Sequence, residues 1–544
     1  ILAQSLSVIY GGNIIRYSVT IGLYLFGLGL GAQLFARWLE DRPGARFIVL
    51  ELVLSVLGMA SVIGIFWLAQ WRFAHGDWVF YTAHVPILVL GILSGGELPL
   101  LTALARQIYF YRGLSLDYVG SLLGSVLFGV WLHAAFGLIA TAIMVACLNF
   151  GVALYFLLRL YGAARFVVPV ALLGLVFAGA LVNQEQLRRG VQDNYIKAYA
   201  KERPGAHKGE LRVIDNFFTP YQWVVYYDNV PDGGTDNGRY AHHQHTVLLD
   251  TVPQLARRWI HNFHEGFALT GLAHARGDDL NIAVGGDGDL IIPQKLLQSD
   301  RVRHIDHIDI DKQFVQYMID HPFYSHFNKL AADDPRMQSH FMDAMHFFRQ
   351  RSTSKPKYDI VYLDYSTLRE NFKLLHLFSK EFYAAIRRHL ADDGQIVLYL
   401  YNNKGFLKTL KANMKAIGLS HYNLAMVPDF ARGNIVGRIA GFSQEPLEAK
   451  PYTKMSNSQS AAFDYIYGPR RIGATPARVN SVLQANYAMV QRHGKKRHPE
   501  IIALIQKTNK RMKKDGNKQS NYRYFGADDS QPPDAPKTEK DNPD

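Results

Sequence analysis

The sequence predicts two architectures in one chain: a multi-pass α-helical membrane domain, then an α/β domain on a doubly wound, mostly parallel sheet. Three observations carry this. Six long apolar stretches fill the first third of the 544 residues, roughly 13–37, 47–69, 79–105, 118–137, 139–158 and 166–182. Each approaches or exceeds the about 20 residues that cross a bilayer. From Leu280 onward, apolar runs of strand length alternate with helical patterns, the rhythm of a parallel sheet with crossover helices. Between the two lie short strand patterns, "LRVIDNF", "YQWVVYY" and "HTVLLD", broken by the Gly/Asp/Asn-rich "NVPDGGTDNGRY".

The boundaries follow from these shifts. A polytopic transmembrane domain is expected over 1–183, a polar linker over 184–209, and a small β-hairpin subdomain over 210–260. The sheet domain occupies 261–445, and 446–544 is a basic, largely disordered tail. The opening "ILAQSLSVIY" lacks the charged start and cleavage site of a secretory signal. One cysteine, Cys147, excludes disulfides and cysteine-rich metal sites. The net charge of +13 is concentrated: 15 Lys and Arg face 3 Asp and Glu between Pro451 and Tyr524. Such a segment binds anionic headgroups, at about 1 kcal/mol per charge near the surface, or is a solvated tail. Nucleic acid is not an expected partner, because no aromatic-rich reading module accompanies the charge.

In the sheet domain, "LNIAVGG", "RHIDHIDID", "YDIVYLD" and "GQIVLYLY" read as strands; "IIPQKLLQ", "KQFVQYMI" and "KEFYAAIRRHL" read as helices. "VGGDGD" is a glycine turn in which Gly285, Gly286 and Gly288 let the backbone approach a ligand at a helix N-terminus. Asp309 ends the next strand, 21 positions after Gly288, a spacing that suits an acid on ribose hydroxyls. Asp343 stands at a further strand-to-helix junction, and Asp364 ends the apolar strand "YDIVYLD". Each acid alone reads as a helix N-cap. With Asp287 of the glycine turn they make four at successive strand ends, where open α/β sheets hold their ligands, and read as a site.

These motifs, in this order, resemble the aminopropyltransferases of the spermidine synthase type. "TPYQ" and "LLDTVPQ" are similar to the family's N-terminal hairpin, "FHE" to its Tyr-His-Glu, and "VGGDGD" to its glycine turn. "DID" resembles its Glu-Ile-Asp, "DPR…MDA" the segment before the adenine acid, and "YDIVYLDYST" the strand of the catalytic acid. "VPDFARGNIVGRIAGFS" resembles the closing strands. The resemblance implies a Rossmann-like, class I methyltransferase-type fold with a small N-terminal β-hairpin subdomain. It implies decarboxylated S-adenosylmethionine as co-substrate and no permanent cofactor or metal. Asp364 would be the general base, or the group that orients the amine. Gln222, His264, Gly285, Gly286, Asp287 and Gly288 would hold the donor, with Asp287 on its ammonium; Asp309 would take ribose and Asp343 adenine. Asp289, where the family has glycine, reads as an N-cap.

The acceptor side departs from the pattern. Thr367 replaces the second acid, Leu368 the proline after it, and Phe263 the tyrosine of Tyr-His-Glu. Phe263, Tyr365 and Thr367 are therefore the acceptor-side candidates, and the amine is unassigned. The apolar N-terminal third resembles the transmembrane region fused to some bacterial spermidine synthase-like proteins. Within it Glu97, in "GGELP", is a carboxylate beside helix-breaking residues at membrane depth, either a cation or amine contact or a protonated structural acid.

The expected partners are a small amine and membrane lipids, with a homodimer left open. The expected location is the inner membrane with the sheet domain in the cytoplasm. Arg37, Arg42 and Arg46 place their loop inside. Six single crossings then leave the sheet domain outside, so one segment must fail to cross. Two other readings stand beside aminopropyl transfer: methyl transfer from intact S-adenosylmethionine, and a non-catalytic sensor or transporter of a polyamine or adenosyl ligand.

Overall fold

The computed structural model describes residues 1–10, 14–36, 42–75, 78–104, 110–161, 167–201, 209–231, 245–256, 260–365, 372–400, 404–429, 434–449, 466–473, 479–481 and 499–516. Two compact units emerge. One comprises Ile1–Asn229 with Leu248–Thr251, the other Val230–Val247 with Val252–Asp544.

The first unit is led by apolar helices: α1 (Leu2–Tyr10), α2 (Ile14–Ala36), α3 (Pro43–His75), α4 (Trp78–Thr82), α5 (Val85–Gly95), α6 (Glu97–Leu104), α7 (Phe110–Leu127), α8 (His133–Tyr161) and α9 (Val167–Val182). Five stretches are long and apolar enough to cross a membrane: Arg16–Ala36, Pro43–Trp71, Val85–Leu104, Gly113–Leu132 and Ala135–Tyr161. The sixth expected stretch differs. Val168–Val182 is too short to qualify alone, and it bends by 69° into α10 (Gln184–Lys201). α10 is helix over most of the expected linker. The strands β1 (Gly209–Phe218) and β2 (Trp223–Pro231), with β3 (Thr246–Leu249) next in order, form a small sheet. β1 and β2 share one core with the helices: Trp223 is fully buried, edge-on to Phe66 at 5.9 Å and stacked on Tyr195 at 6.3 Å. Aromatic burial of this kind joins the hairpin residues to the helical unit.

In the second unit, β4 (Val252–Ala256) and α11 (Glu265–His274) precede alternating strands and helices: β5 (Leu280–Gly286), α12 (Ile291–Leu297), β6 (Val302–Asp309), α13 (Lys312–Asp320), α14 (Ser325–Ala332), β7 (Met337–Phe341), α15 (Ala344–Gln350) and β8 (Tyr358–Asp364). Then follow α16 (Lys380–Arg387), β9 (Leu390–Tyr399), α17 (Lys404–Ala416), β10 (His421–Asp429) and β11 (Asn434–Ser443). β5 to β9 pair in parallel, and β10 and β11 close the sheet antiparallel. The full order is β12-β10-β11-β9-β8-β5-β6-β7, with β12 at Ile466–Arg471.

Helices cover both faces, as the continuous apolar strands require. Phe267 of α11 and Ile292 and Leu296 of α12 pack on Ile282, Ile360, Tyr362 and Ile439. Phe348 of α15, Phe382 of α16 and Leu407 of α17 cover Val361, Ile396 and Leu398 on the other face. Of residues 446–544, expected as a basic, largely disordered tail, the described parts contribute to this fold. β12 pairs with β10, and α18 (Pro499–Gly516) buries Ile501 and Leu504 in the second core. The sequence "PEIIALIQKTNKRMKK" already reads as a basic amphipathic helix, which α18 is, whereas β12 carries no strand pattern and gains its partners only on the finished sheet edge.

Candidate active site

The site forms where β5, β6 and β8 end side by side. Register places Gly286 opposite Asp364, and Gly285 opposite Ile308. The turn after β5 is tight and strained. Gly286 has φ 82°, where a side chain is costly, and a Cβ there would collide with the Asp364 carbonyl. Asp287 and Leu290 also hold positive φ, 61° and 59°. The Asp287 N–H donates to the Asp364 carbonyl (3.2 Å), which locks the two strand ends together. Gly288 lets the turn pass Phe314, whose ring would lie 2.7 Å from an added Cβ, and the Asp309 carboxylate, at 3.2 Å.

Four side chains converge there. His264, 1% exposed, sits at the junction into α11 and pairs with Asp289 at 3.5 Å. His264, Asp287 and Asp289 each present a ligand atom, all within 4.8 Å of one another. Asp364 adds a fourth charge. One Asp287 oxygen accepts from the Ile292 N–H (3.1 Å); the other is buried without a hydrogen bond, the open valence of the site. Asp289 accepts from the Ile291 N–H (3.0 Å), so it is an N-cap and a site acid at once.

The electrostatics follow from burial. Desolvation, then the charges of Asp289 and Asp364, push the Asp287 carboxyl well above its ordinary value. Desolvation pushes Asp364 up to about 7, with His264 pulling against it and Asp289 adding to it. Burial also works against a charged Asp289, but His264 and the Ile291 N–H together hold it below its ordinary value. Asp309, also desolvated, is raised to about 7 and accepts from the Asp311 N–H at 2.7 Å. Asp343 caps α15 through the His346 N–H (2.9 Å) and pairs with His376 at 3.1 Å, which holds it low. The Tyr365 ring acts electrostatically with both Asp309 and Asp343.

The structure therefore brings together His264, Asp287, Asp309 and Asp364 with the glycines of the turn, and sets Asp343 and Tyr365 beside Asp309. Phe263 packs edge-on against Tyr399 (5.5 Å) and Phe267 (5.7 Å, tilted). Gln222 belongs to the other unit, where its N–H donates to the Thr219 hydroxyl (3.1 Å). Glu97 is also in that unit, and Thr367 lies outside the described residues. Sequence reasoning preferred a cap to a donor-side acid for Asp289, and the structure gives it both contacts; His376 and Tyr399 it missed altogether. The extra acid in "GGDGD" was a signal for the first; His376 and Tyr399 carried none.

A cluster of three acids and one imidazole, closed behind by strained backbone, is built for positive charge. His264, Asp287 and Asp289 have the donor set for a cation, and the same atoms fit an organic ammonium.

Residues 267–443 match the family model described as the spermine/spermidine synthase domain. A polyamine aminopropyltransferase of Oceanobacillus iheyensis is 26% identical over 403 residues, 72% of this chain and 72% of that protein. Polyamine aminopropyltransferase 1 of Streptomyces coelicolor is 26% identical over 459 residues, 81% of this chain and 80% of its own, an alignment longer than the α/β unit can supply. The spermidine synthase of Thermotoga maritima is 18% identical, with a TM-score of 0.34 over 46% of this chain and 84% of its own. The chain is thus similar to the spermine/spermidine synthase domain over 267–443, and to polyamine aminopropyltransferases over most of its length.

Proposed function

We propose that the chain is a membrane-bound aminopropyltransferase whose donor is decarboxylated S-adenosylmethionine. The observation that carries this is the buried, unsatisfied Asp287 oxygen among Asp289, Asp364 and His264. The decarboxylated donor bears an ammonium and a sulfonium and no carboxylate, so an acid pocket attracts it at both charges. The intact methionine form would bring a carboxylate against these acids, which argues against methyl transfer. The names of the aligned relatives support the same reaction class.

In this reading Asp287 takes the donor ammonium, and Asp289 holds His264 against the donor. Asp309 takes the ribose hydroxyls, and Asp343, fixed by His376, the adenine amino group. Asp364 stands at the strand end, its carboxyl near 7 through burial. It removes a proton from the acceptor ammonium. The freed nitrogen lone pair attacks the carbon bound to sulfur, the C–S bond breaks, and its electrons neutralise the sulfonium. Methylthioadenosine and a secondary ammonium result, and Asp364 returns the proton it took to solvent. A sulfonium leaves readily, so in-line positioning and proton removal are the enzyme's tasks. Phe263 and Tyr365 are the acceptor-side residues in this reading, and a threonine at 367 in place of a second acid argues against an acceptor whose far ammonium is held there.

The five helices long and apolar enough to cross a membrane support a position in the inner membrane. Counting onward from the loop that holds Arg37, Arg42 and Arg46, four crossings follow if α9, bent against α10, lies without crossing. An even number returns the α/β unit to the cytoplasmic side, where adenosyl donors are made.

The test is isotope transfer by the full-length chain in lipid nanodiscs, from decarboxylated and intact S-adenosylmethionine, to a panel of amines. Methylthioadenosine release that depends on amine and on the decarboxylated donor is expected. Methyl transfer from the intact donor, or binding without turnover, would overturn it.

A further inference from the structure

The turn that carries Asp287 and Asp289 is held from behind by two side chains that the reaction steps leave unused. The paired register of β5 with β6 ends at Gly285 and Ile308, so the Gly286 carbonyl lies past the ladder. There the His307 side chain of β6 takes over, with its Nε2 3.0 Å from that carbonyl oxygen. Three residues on, the Asp289 carbonyl accepts from the side-chain amide of Asn328 in α14 (3.0 Å). The same amide donates to the Met318 carbonyl of α13 (2.9 Å). His307 and Asn328 are both fully buried. With the Asp287 N–H on the Asp364 carbonyl, the turn is tied to β8, β6 and α14.

The proton of the imidazole has one place to be. A carbonyl only accepts, so Nε2 carries the hydrogen and Nδ1 is bare. Ser339, the register partner of His307 on β7, meets Nδ1 at 3.3 Å, and its hydroxyl fixes this tautomer. Burial outweighs the Gly286 and Asp287 backbone bonds and pushes His307 down to about 4, so the ring is neutral at pH 7.

This face of the sheet is otherwise apolar, with Val284, Ile292, Leu296 and Ile305 packed around the position. A leucine would fill it without the cost of desolvating an imidazole. The polar pair adds control of the two carbonyls that enter and leave Asp287–Asp289. Such control is needed, because Gly286, Asp287 and Leu290 hold positive φ. Strained backbone of this kind persists only where its surroundings over-determine it. We propose that His307 and Asn328 are positioning residues for the donor, a clamp that sets where the Asp287 and Asp289 carboxylates stand. The clamp stands on the hydrogen bonds of the α/β unit alone; its service to the donor ammonium rests on the proposed function.

The experiment is titration of the full-length chain in lipid nanodiscs with decarboxylated S-adenosylmethionine and with methylthioadenosine, which lacks the aminopropyl ammonium. Wild type, H307L, H307Q, N328A and S339A are compared, with hydrogen exchange over 285–292 and thermal unfolding read in parallel. In H307L and N328A the decarboxylated donor should bind about tenfold or more weakly, and methylthioadenosine about as in wild type. Exchange over 285–292 should quicken while the other strands keep their protection. H307Q, which keeps an N–H at the reach of Nε2, should recover most of the loss, and S339A should lie between. Wild-type exchange and donor affinity in folded H307L and N328A would overturn the clamp. So would an equal loss of both ligands with exchange raised throughout the sheet, the mark of a merely structural role. Should H307L not fold, S339A takes its place, and wild-type values there would overturn the clamp. Equal binding of both ligands by wild type would count against the proposed function, while exchange over 285–292 would still decide the clamp.

Discussion

In the proposed function Asp364 and Asp287 divide the work of the candidate site, and their chemistry separates them experimentally. Asp364 is argued to move a proton, so Asp364→Asn should lower kcat by about 10²- to 10⁴-fold. Donor binding should survive, as methylthioadenosine titration would check. Its carboxyl is raised to about 7 by desolvation. A base works only when ionised, so kcat/KM should climb as pH rises through about 7, and a flat profile from pH 5.5 to 8.5 would remove Asp364 from that role. Asp287 instead anchors the donor ammonium, whose positive charge offsets the desolvation and the neighbouring carboxylates that raise its carboxyl. Asp287→Asn should raise the KM for the donor by roughly 10- to 100-fold, the worth of a charge-assisted hydrogen bond, with a lesser effect on kcat. Steady-state kinetics with varied donor would show a kcat-only defect if the assignment is wrong.

At the scale of elements, α18 shows how a basic segment becomes part of a fold. Glu500 in its first turn accepts from Lys411 (2.7 Å), the Tyr422 hydroxyl (2.7 Å) and Arg470 (2.6 Å). The one acid thus ties α18 to α17, β10 and β12. Glu500→Ala leaves three donors without their acceptor and should cost about 1–3 kcal/mol, seen as a lower thermal midpoint of the intact chain. Burial opposes the charged form of Glu500, but its three partners outweigh it and hold its carboxyl below 4.5. A depressed carboxyl gives its stability above the unfolded value of about 4.5. That contribution is lost as pH falls through the lowered folded value. The Glu500→Ala deficit should therefore shrink under acid and be full at pH 7.

For the whole molecule, the proposed membrane placement is tested by the side on which the chain's end lies. Five stretches qualify as spans and the sixth bends by 69°. With α9 lying without crossing, the basic loop and the C-terminus share the cytoplasmic side. A fluorescent protein fused after Asp544 should fluoresce in cells, while alkaline phosphatase fused there should be inactive. The reverse pattern would make α9 a full crossing.

The sequence by itself determined the parts of this protein that depend on local periodicity and chain order. Long apolar runs announced the helices. Continuous β-branched strands such as Tyr358–Asp364 announced a sheet buried on both faces, and acids at successive strand ends announced its rim. These signals need no partner to be read, because hydrophobic pattern and turn chemistry are written within a few residues. Tertiary structure alone decided what depends on meeting. It set Asp289 against His264, and His376 against Asp343 33 residues away. It joined the Trp223 hairpin to Phe66 and Tyr195 of the helices. It drew β12 and α18 onto the sheet edge from a stretch whose composition resembled a tail. Each is a contact between distant residues, and its energy comes from burial and charge pairing that exist only once the chain has closed on itself.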